Sequence, residues 1–136
     1  MFSKIVVGVL VMLSLYGYNP QRAIAEPQII LSPKETISLF ALKYGASEKE
    51  LNAVAKCESG FNPNAIHYND GGKGKHSVGV FQYQESTFKG FSKLMNEDLD
   101  YYSYQDQIKL TAYIYAKYPK YKSHWTCYRI YKKSLA

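Results

Sequence analysis

Two helix-start signals in tandem, each closed by a glycine, constrain the fold of this 136-residue chain more than any other feature of its sequence. Ser32-Pro33-Lys34-Glu35 combines an N-cap hydroxyl, a proline at the first helical position and a glutamate placed to close a capping box. Ile37, Phe40, Ala41 and Tyr44 follow at helical spacing, and Gly45 ends the segment. Ser47 and Glu50 repeat the signal at once and lead into Leu51, Val54, Ala55 and Glu58, with Gly60 as the stop. Residues 61–76 then carry Gly, Asn, Pro, Asp, Lys and His with no sustained apolar period, which inside a small domain marks a functional or mobile stretch. A short apolar run from Val78 to Tyr83 follows. Residues 86–95 read as helix, and Ser103 with Asp106 caps a longer helix to about Tyr118. That helix carries Tyr104, Ile108, Ala112 and Tyr115 on one face, and Pro119 ends it. The domain reads as mainly helical, with one loop-rich insertion between its second and third helices.

The first 25 residues are expected to leave before folding. Lys4 supplies a positive start, Ile5 to Tyr18 is almost unbroken apolar sequence, Pro20 breaks it, and Ala23-Ile24-Ala25 is a cleavage signal. The apolar run falls short of the roughly 20 residues that a spanning helix needs, so no stable membrane insertion is expected once the segment is cut. The mature chain would be residues 26–136. Lys4 and Arg22 leave with the signal, so the formal charge falls from +6 to +4. A basic exported protein is drawn to anionic surfaces, but wall polymers, phospholipid headgroups and nucleic acid all qualify. Export bears on redox state as well. Cys57 and Cys127 are the only cysteines, and outside the cytoplasm they are expected to form one disulfide.

Glu58 is the most informative residue. Leu51, Val54 and Ala55 lie seven, four and three positions before it, so its carboxyl belongs to the core-facing stripe of its helix. A charge there is costly unless paired or protonated, and the negative end of the helix dipole adds to the cost. Both effects raise a carboxyl's pKa, as a general acid at neutral pH requires. From the pattern alone, a frayed helix end with Glu58 in water is an equal reading.

The surrounding residues resemble a known family. Cys57-Glu58-Ser59-Gly60-Phe61-Asn62-Pro63-Asn64-Ala65, then Ser77-Val78-Gly79-Val80-Phe81-Gln82, is similar to the two leading motifs of the lysozyme-like lytic transglycosylases, the SLT-domain family. The resemblance covers roughly residues 47–128. The cysteines are placed as in the resuscitation-promoting factors, where a cysteine directly before the catalytic glutamate pairs with one shortly after a tryptophan; here Cys127 follows Trp125 by two. The Asn-hydrophobic-x-x-Gly signature of many transglycosylases is not visible after residue 100. The resemblance implies an α+β, mainly α, lysozyme-like fold, with a lead-in and first helix over 26–46, the catalytic domain over 47–128 and a basic tail over 129–136.

Carried over by position, the resemblance makes Glu58 the general acid. Ser59 would help position the carboxyl or the sugar, and Ser77, Gly79, Val80, Gln82 and Tyr113 would bind substrate. Gly79 is expected to let the backbone approach a sugar ring closely. Phe81 stays open between core and cleft, while Asn62 and Pro63 are expected to shape the turn after the helix. Paired-carboxyl glycosidases need a second acid across the sugar. Asp70 is the candidate, with Glu85, Asp98 and Asp100 as more distant alternatives, although Asp70-Gly71 is also an ordinary turn. Without a partner, the substrate's N-acetyl group would stabilise the developing positive charge and Glu58 would act as base on the muramic acid 6-hydroxyl, giving the 1,6-anhydro product the resemblance implies.

Other constellations are weak. Gly71 to Lys75 lacks phosphate-loop spacing and reads as a flexible basic loop, and His67, His76 and His124 share no metal-ligand spacing, so no metal and no cofactor is expected. A thiol nucleophile at Cys57 conflicts with export. Tyrosines crowd residues 101–131, where their faces suit carbohydrate and equally suit single-stranded nucleic acid, but an exported chain argues against nucleic acid as a partner. The expectation is therefore a secreted or cell-envelope monomer cleaving the β-1,4 bond between N-acetylmuramic acid and N-acetylglucosamine in peptidoglycan glycan strands. Two alternatives stand beside it: a hydrolytic lysozyme-type muramidase, and a catalytically silent cationic wall-binding or antimicrobial module.

Overall fold

A computed structural model describes residues 29–136. The expected signal segment and residues 26–28 of the lead-in lie outside them. Both tandem signals become helices. In α1 (Pro33–Tyr44) the Ser32 hydroxyl accepts from the Glu35 backbone N–H while the Glu35 carboxylate accepts from the Ser32 N–H at 2.8 Å, completing the capping box. In α2 (Glu48–Ser59) Ser47 accepts from the Glu50 N–H at 3.2 Å. Gly45 and Gly60 close the two helices at φ +75° and +64°, left-handed conformations where a side chain would be strained.

Three two-residue strands follow: β1 (Ile66–His67), β2 (Ser77–Val78) and β3 (Tyr83–Gln84). They form one antiparallel sheet in the order β1-β2-β3, with Ile66 opposite Val78, His67 opposite Ser77, Ser77 opposite Gln84 and Val78 opposite Tyr83. The apolar run predicted over Val78–Tyr83 is thus a strand, a turn and the start of a second strand. Val80 and Phe81, at the turn, are fully buried, which settles Phe81 as core.

Helix α3 (Glu85–Met95) and helix α4 (Tyr104–Lys117) occupy the predicted segments. Ser103 caps α4, accepting from the Asp106 N–H at 3.2 Å. Ile108, Ala112 and Tyr115 of its predicted stripe are buried, and Tyr104 is half-buried with its hydroxyl donating to the Leu31 carbonyl. Leu110 and Ile114 are buried too, because α1 and α3 both pack on α4 and leave it little solvent face. With α1 against both α2 and α4, the helix expected in the lead-in shares one core with the catalytic segment.

A 3-10 helix (Pro119–His124) and helix α5 (Thr126–Ser134) complete the chain. The basic tail expected over 129–136 is therefore helical through Ser134. Neither element has a side-chain cap, and Pro119 at the start of the first is the one local helix-start feature they carry. They are held from outside, α5 by packing on α2 and Trp125 by burial to 4% exposure among Tyr83, Phe91 and Tyr115. The Trp125 indole N–H donates to the Phe81 carbonyl at 3.0 Å, tying this end of the chain to the β2–β3 turn.

Candidate active site

The stripe that buries Leu51, Val54 and Ala55 brings Glu58 to the last turn of α2, half-buried, at the wall of a cleft of about 240 Å³. The loop between β1 and β2 contributes Asp70 to that cleft, the sheet contributes Ser77 and Gln84, the β2–β3 turn contributes Gln82, and α3 contributes Thr87. The opposite end of the chain supplies His124, Trp125 and Thr126. Burial raises the Glu58 carboxyl pKa above its ordinary value. The Cys127 backbone N–H, 3.4 Å from its Oε1, opposes that shift, and the negative charge of Asp70 adds to it. A carboxyl whose pKa is raised beside open cleft space is suited to give a proton to a leaving oxygen and take one back.

The disulfide is central to this geometry. Cys57 and Cys127 are bonded, with Cα atoms 5.8 Å apart and a sequence separation of 70. Cys57 precedes Glu58, and Cys127 supplies the N–H facing it, so one covalent link sets both the carboxyl and its backbone donor. Closing a loop of this length stabilises the folded chain by about 4 kcal/mol on the chain-entropy estimate.

Several predicted site residues act on the scaffold instead of facing the cleft. The Ser59 hydroxyl donates to the Val80 carbonyl at 2.8 Å, so it latches the end of α2 to the β2–β3 turn and does not bond the Glu58 carboxyl. Val80 is fully buried, and its carbonyl is occupied by that bond. Gly79 is buried at φ +81°, and a Cβ there would lie 2.4 Å from Gln107 Oε1 and 2.5 Å from its Nε2. A buried glutamine thus makes a close approach that requires glycine here. Gln82, at φ +49°, faces the cleft while its amide donates to the Gly79 carbonyl at 2.9 Å and, at 3.3 Å, to that of Ala65.

Tyr113 stands apart from this cleft. Its ring packs against Tyr44 and Tyr118, and its hydroxyl donates to the Leu94 carbonyl at 3.3 Å. Asn62 shapes the turn after α2 as expected, its side-chain oxygen accepting from the Asn64 N–H at 2.9 Å. Ser77 is 1% exposed and donates its hydroxyl proton to Asp70 Oδ2 at 2.5 Å; Asp70-Gly71 does form a turn, closed by the Gly72 N–H on the Asn69 carbonyl at 3.1 Å, and Asp70 also lines the Glu58 cleft.

His124, Thr126, Thr87 and Gln84 were not predicted as cleft residues. The His124 ring meets those of Phe91 and Trp125 edge-on, and its pKa is lowered by withdrawal from water and then by the Arg129 guanidinium. A usable signal for this wall did exist: a bond from Cys127 to Cys57 carries residues 124–126 to Glu58. Among the described residues, no helix is long and apolar enough to cross a membrane.

The profile of the family described as Transglycosylase SLT domain matches residues 35–133 of the chain. No curated protein and no solved structure matches it.

Proposed function

Because the chain belongs to the transglycosylase SLT domain family, whose activity is of the peptidoglycan lytic transglycosylase type, we propose that it cleaves the β-1,4 bond between N-acetylmuramic acid and N-acetylglucosamine with Glu58 as acid and then base. The observation that carries this reading is a half-buried Glu58 whose pKa is raised by burial at the wall of the cleft. The protonated carboxyl gives its proton to the glycosidic oxygen as the bond to the anomeric carbon breaks. The neighbouring N-acetyl group of the substrate stabilises the positive charge left on that carbon. Glu58, now a carboxylate, takes the proton of the muramic acid 6-hydroxyl as its oxygen closes on the anomeric carbon. The product is a 1,6-anhydro end and the carboxyl is regenerated.

The protein's own contribution is positioning. Ser59 and the disulfide hold the end of α2 against the β2–β3 turn and α5, so the carboxyl meets the sugar from a rigid frame. Gln82, Gln84 and Thr126 offer polar groups along the cleft for hydroxyl and N-acetyl groups. We place the protein outside the cytoplasm, in the cell envelope or secreted, on the strength of the N-terminal segment in its sequence and of its substrate.

The test is mass spectrometry of fragments released from purified peptidoglycan by the oxidised protein, beside a Glu58→Gln control. Ends one water lighter than hydrolysis products, with release lowered about 10²–10⁴-fold in the control, are expected. Release that persists in Glu58→Gln would overturn Glu58 as the acid, and no release by the native protein would leave a cationic module that binds walls without chemistry.

A further inference from the structure

The proposed reaction leaves Asp70 without a task, yet the structure holds this side chain with care. Its Oδ2 accepts from the hydroxyl of Ser77 at 2.5 Å, and Ser77 is 1% exposed and paired through β2 with both neighbouring strands. Gln84, opposite Ser77 on β3, donates its amide to the Asp70 backbone carbonyl at 2.8 Å. Two paired residues of the sheet thus grip Asp70, one by its side chain and one by its main chain. A carboxylate that merely shaped a turn would bond the backbone of its own loop. Among the described residues, the hydrogen bond made by the Asp70 carboxylate runs to Ser77 instead.

Among the described residues, this grip leaves Oδ1 of the exposed carboxylate without a hydrogen bond, and Asp70 lines the same cleft as Glu58, which has room for several water molecules. The two acids also sit in contrasting surroundings, Glu58 half-buried on a helix end and Asp70 open to solvent. Contrast of this kind separates a proton donor from a proton acceptor within one site.

We propose that Asp70 is a second working carboxylate of the cleft, accepting a proton from a water molecule that attacks the anomeric carbon, so that the protein also hydrolyses the bond it cleaves. The proposal rests on the reading of Glu58 as the acid. Glu58 gives its proton to the glycosidic oxygen and the bond from that oxygen to the anomeric carbon breaks. The water oxygen bonds to the carbon, and its proton passes to Asp70. The net change is one water added across the bond; Asp70 loses its proton to solvent and Glu58 regains one. Water and the substrate's own 6-hydroxyl then compete for one carbon, and Asp70 sets the share that water takes.

The experiment digests peptidoglycan whose existing reducing ends have first been chemically reduced, and counts new reducing ends against 1,6-anhydro ends by mass spectrometry. The native protein is expected to form both. In Asp70→Asn the ratio of reducing to anhydro ends should fall at least tenfold, as loss of a general base implies. Ser77→Ala should lower the ratio by a smaller factor, because it frees the carboxylate without removing it. Thermal melts of each variant check the fold, and Asp70→Glu, which keeps the charge but moves it, should lower the ratio in the same direction if Asp70→Asn melts early. Native protein that forms no reducing ends, or a ratio unchanged across all three variants, overturns the role of Asp70. Cleavage that survives Glu58→Gln instead overturns the reading of the acid, and no release by native protein overturns both.

Discussion

Replacing Gly79 by alanine separates two reasons for a glycine at the head of the β2–β3 turn. An L side chain at φ +81° carries about 1–2 kcal/mol of backbone strain. The new Cβ would also lie 2.4, 2.5 and 2.7 Å from Oε1, Nε2 and Cδ of Gln107, so the glutamine has to move. It has nowhere to go without loss, being 1% exposed, with its amide donating to the Val78 carbonyl at 3.1 Å and the Tyr101 carbonyl at 2.9 Å. Stranding those two acceptors costs about 1–2 kcal/mol each. Strain and lost bonds together come to about 3–6 kcal/mol, a large part of the roughly 5–15 kcal/mol typical of a folded domain. The assay is urea denaturation followed by circular dichroism for native protein, Gly79→Ala, Gln107→Ala and the double variant. Gly79→Ala should lose about 3–6 kcal/mol, and the double variant should be more stable than additivity predicts by about 2 kcal/mol, because the clash is gone. A Gly79→Ala protein within about 1 kcal/mol of native, or strict additivity, would refute the packing argument. If the glycine served a sugar ring instead, Gly79→Ala would lose only the backbone strain of about 1–2 kcal/mol and bind saccharide more weakly.

Other outcomes follow from the same structure. Replacing both Cys57 and Cys127 by alanine should lower stability by about 4 kcal/mol in a urea titration and lower turnover as well, since Glu58 and its N–H donor lose their shared tether. Lys122 donates to Glu50 at 2.6 Å with both side chains 15% exposed, so Lys122→Met should cost about 2–4 kcal/mol, partly recovered by adding Glu50→Gln. Burial raises the Glu58 pKa above its unfolded value, so the protonated form is favoured by folding and stability declines as pH rises through the folded-state pKa. Melting temperatures of Glu58→Gln and native protein should therefore agree in acid and diverge in favour of the variant toward neutral pH; a variant less stable than native at pH 7 would contradict this.

The helices that announce themselves do so through contacts three or four residues long. Ser32 with Glu35, Ser47 with Glu50 and Ser103 with Asp106 are capping pairs inside one turn, and Gly45 and Gly60 stop their helices by their own backbone freedom. Glu58 was legible for the same reason, because its place on the stripe of Leu51, Val54 and Ala55 depends on helical period alone. Helix α5 was not legible: without a cap it owes its form to α2 and to a disulfide partner 70 positions away. Tyr113 shows the converse, since a tyrosine suited to sugar by composition is turned toward Tyr44 and Tyr118 by the packing of its helix.

Local sequence, acting through hydrogen bonds and periodicity within a turn or two, determined the helical class of this protein, the ends of three helices and the carboxyl at the heart of its cleft. Tertiary structure decided what surrounds that carboxyl. Ser77 reaches Asp70 across a loop, Gln107 fills the space over Gly79 from another helix, and the Cys127 N–H reaches Glu58 from the far end of the chain. The first two of those contacts depend on the path of an irregular segment with left-handed turns at Gly71, Gly72, Gly74 and Gly79, and the third on the disulfide that joins the two ends. Such a path has no repeating period to read, and it takes shape only when the core closes around it.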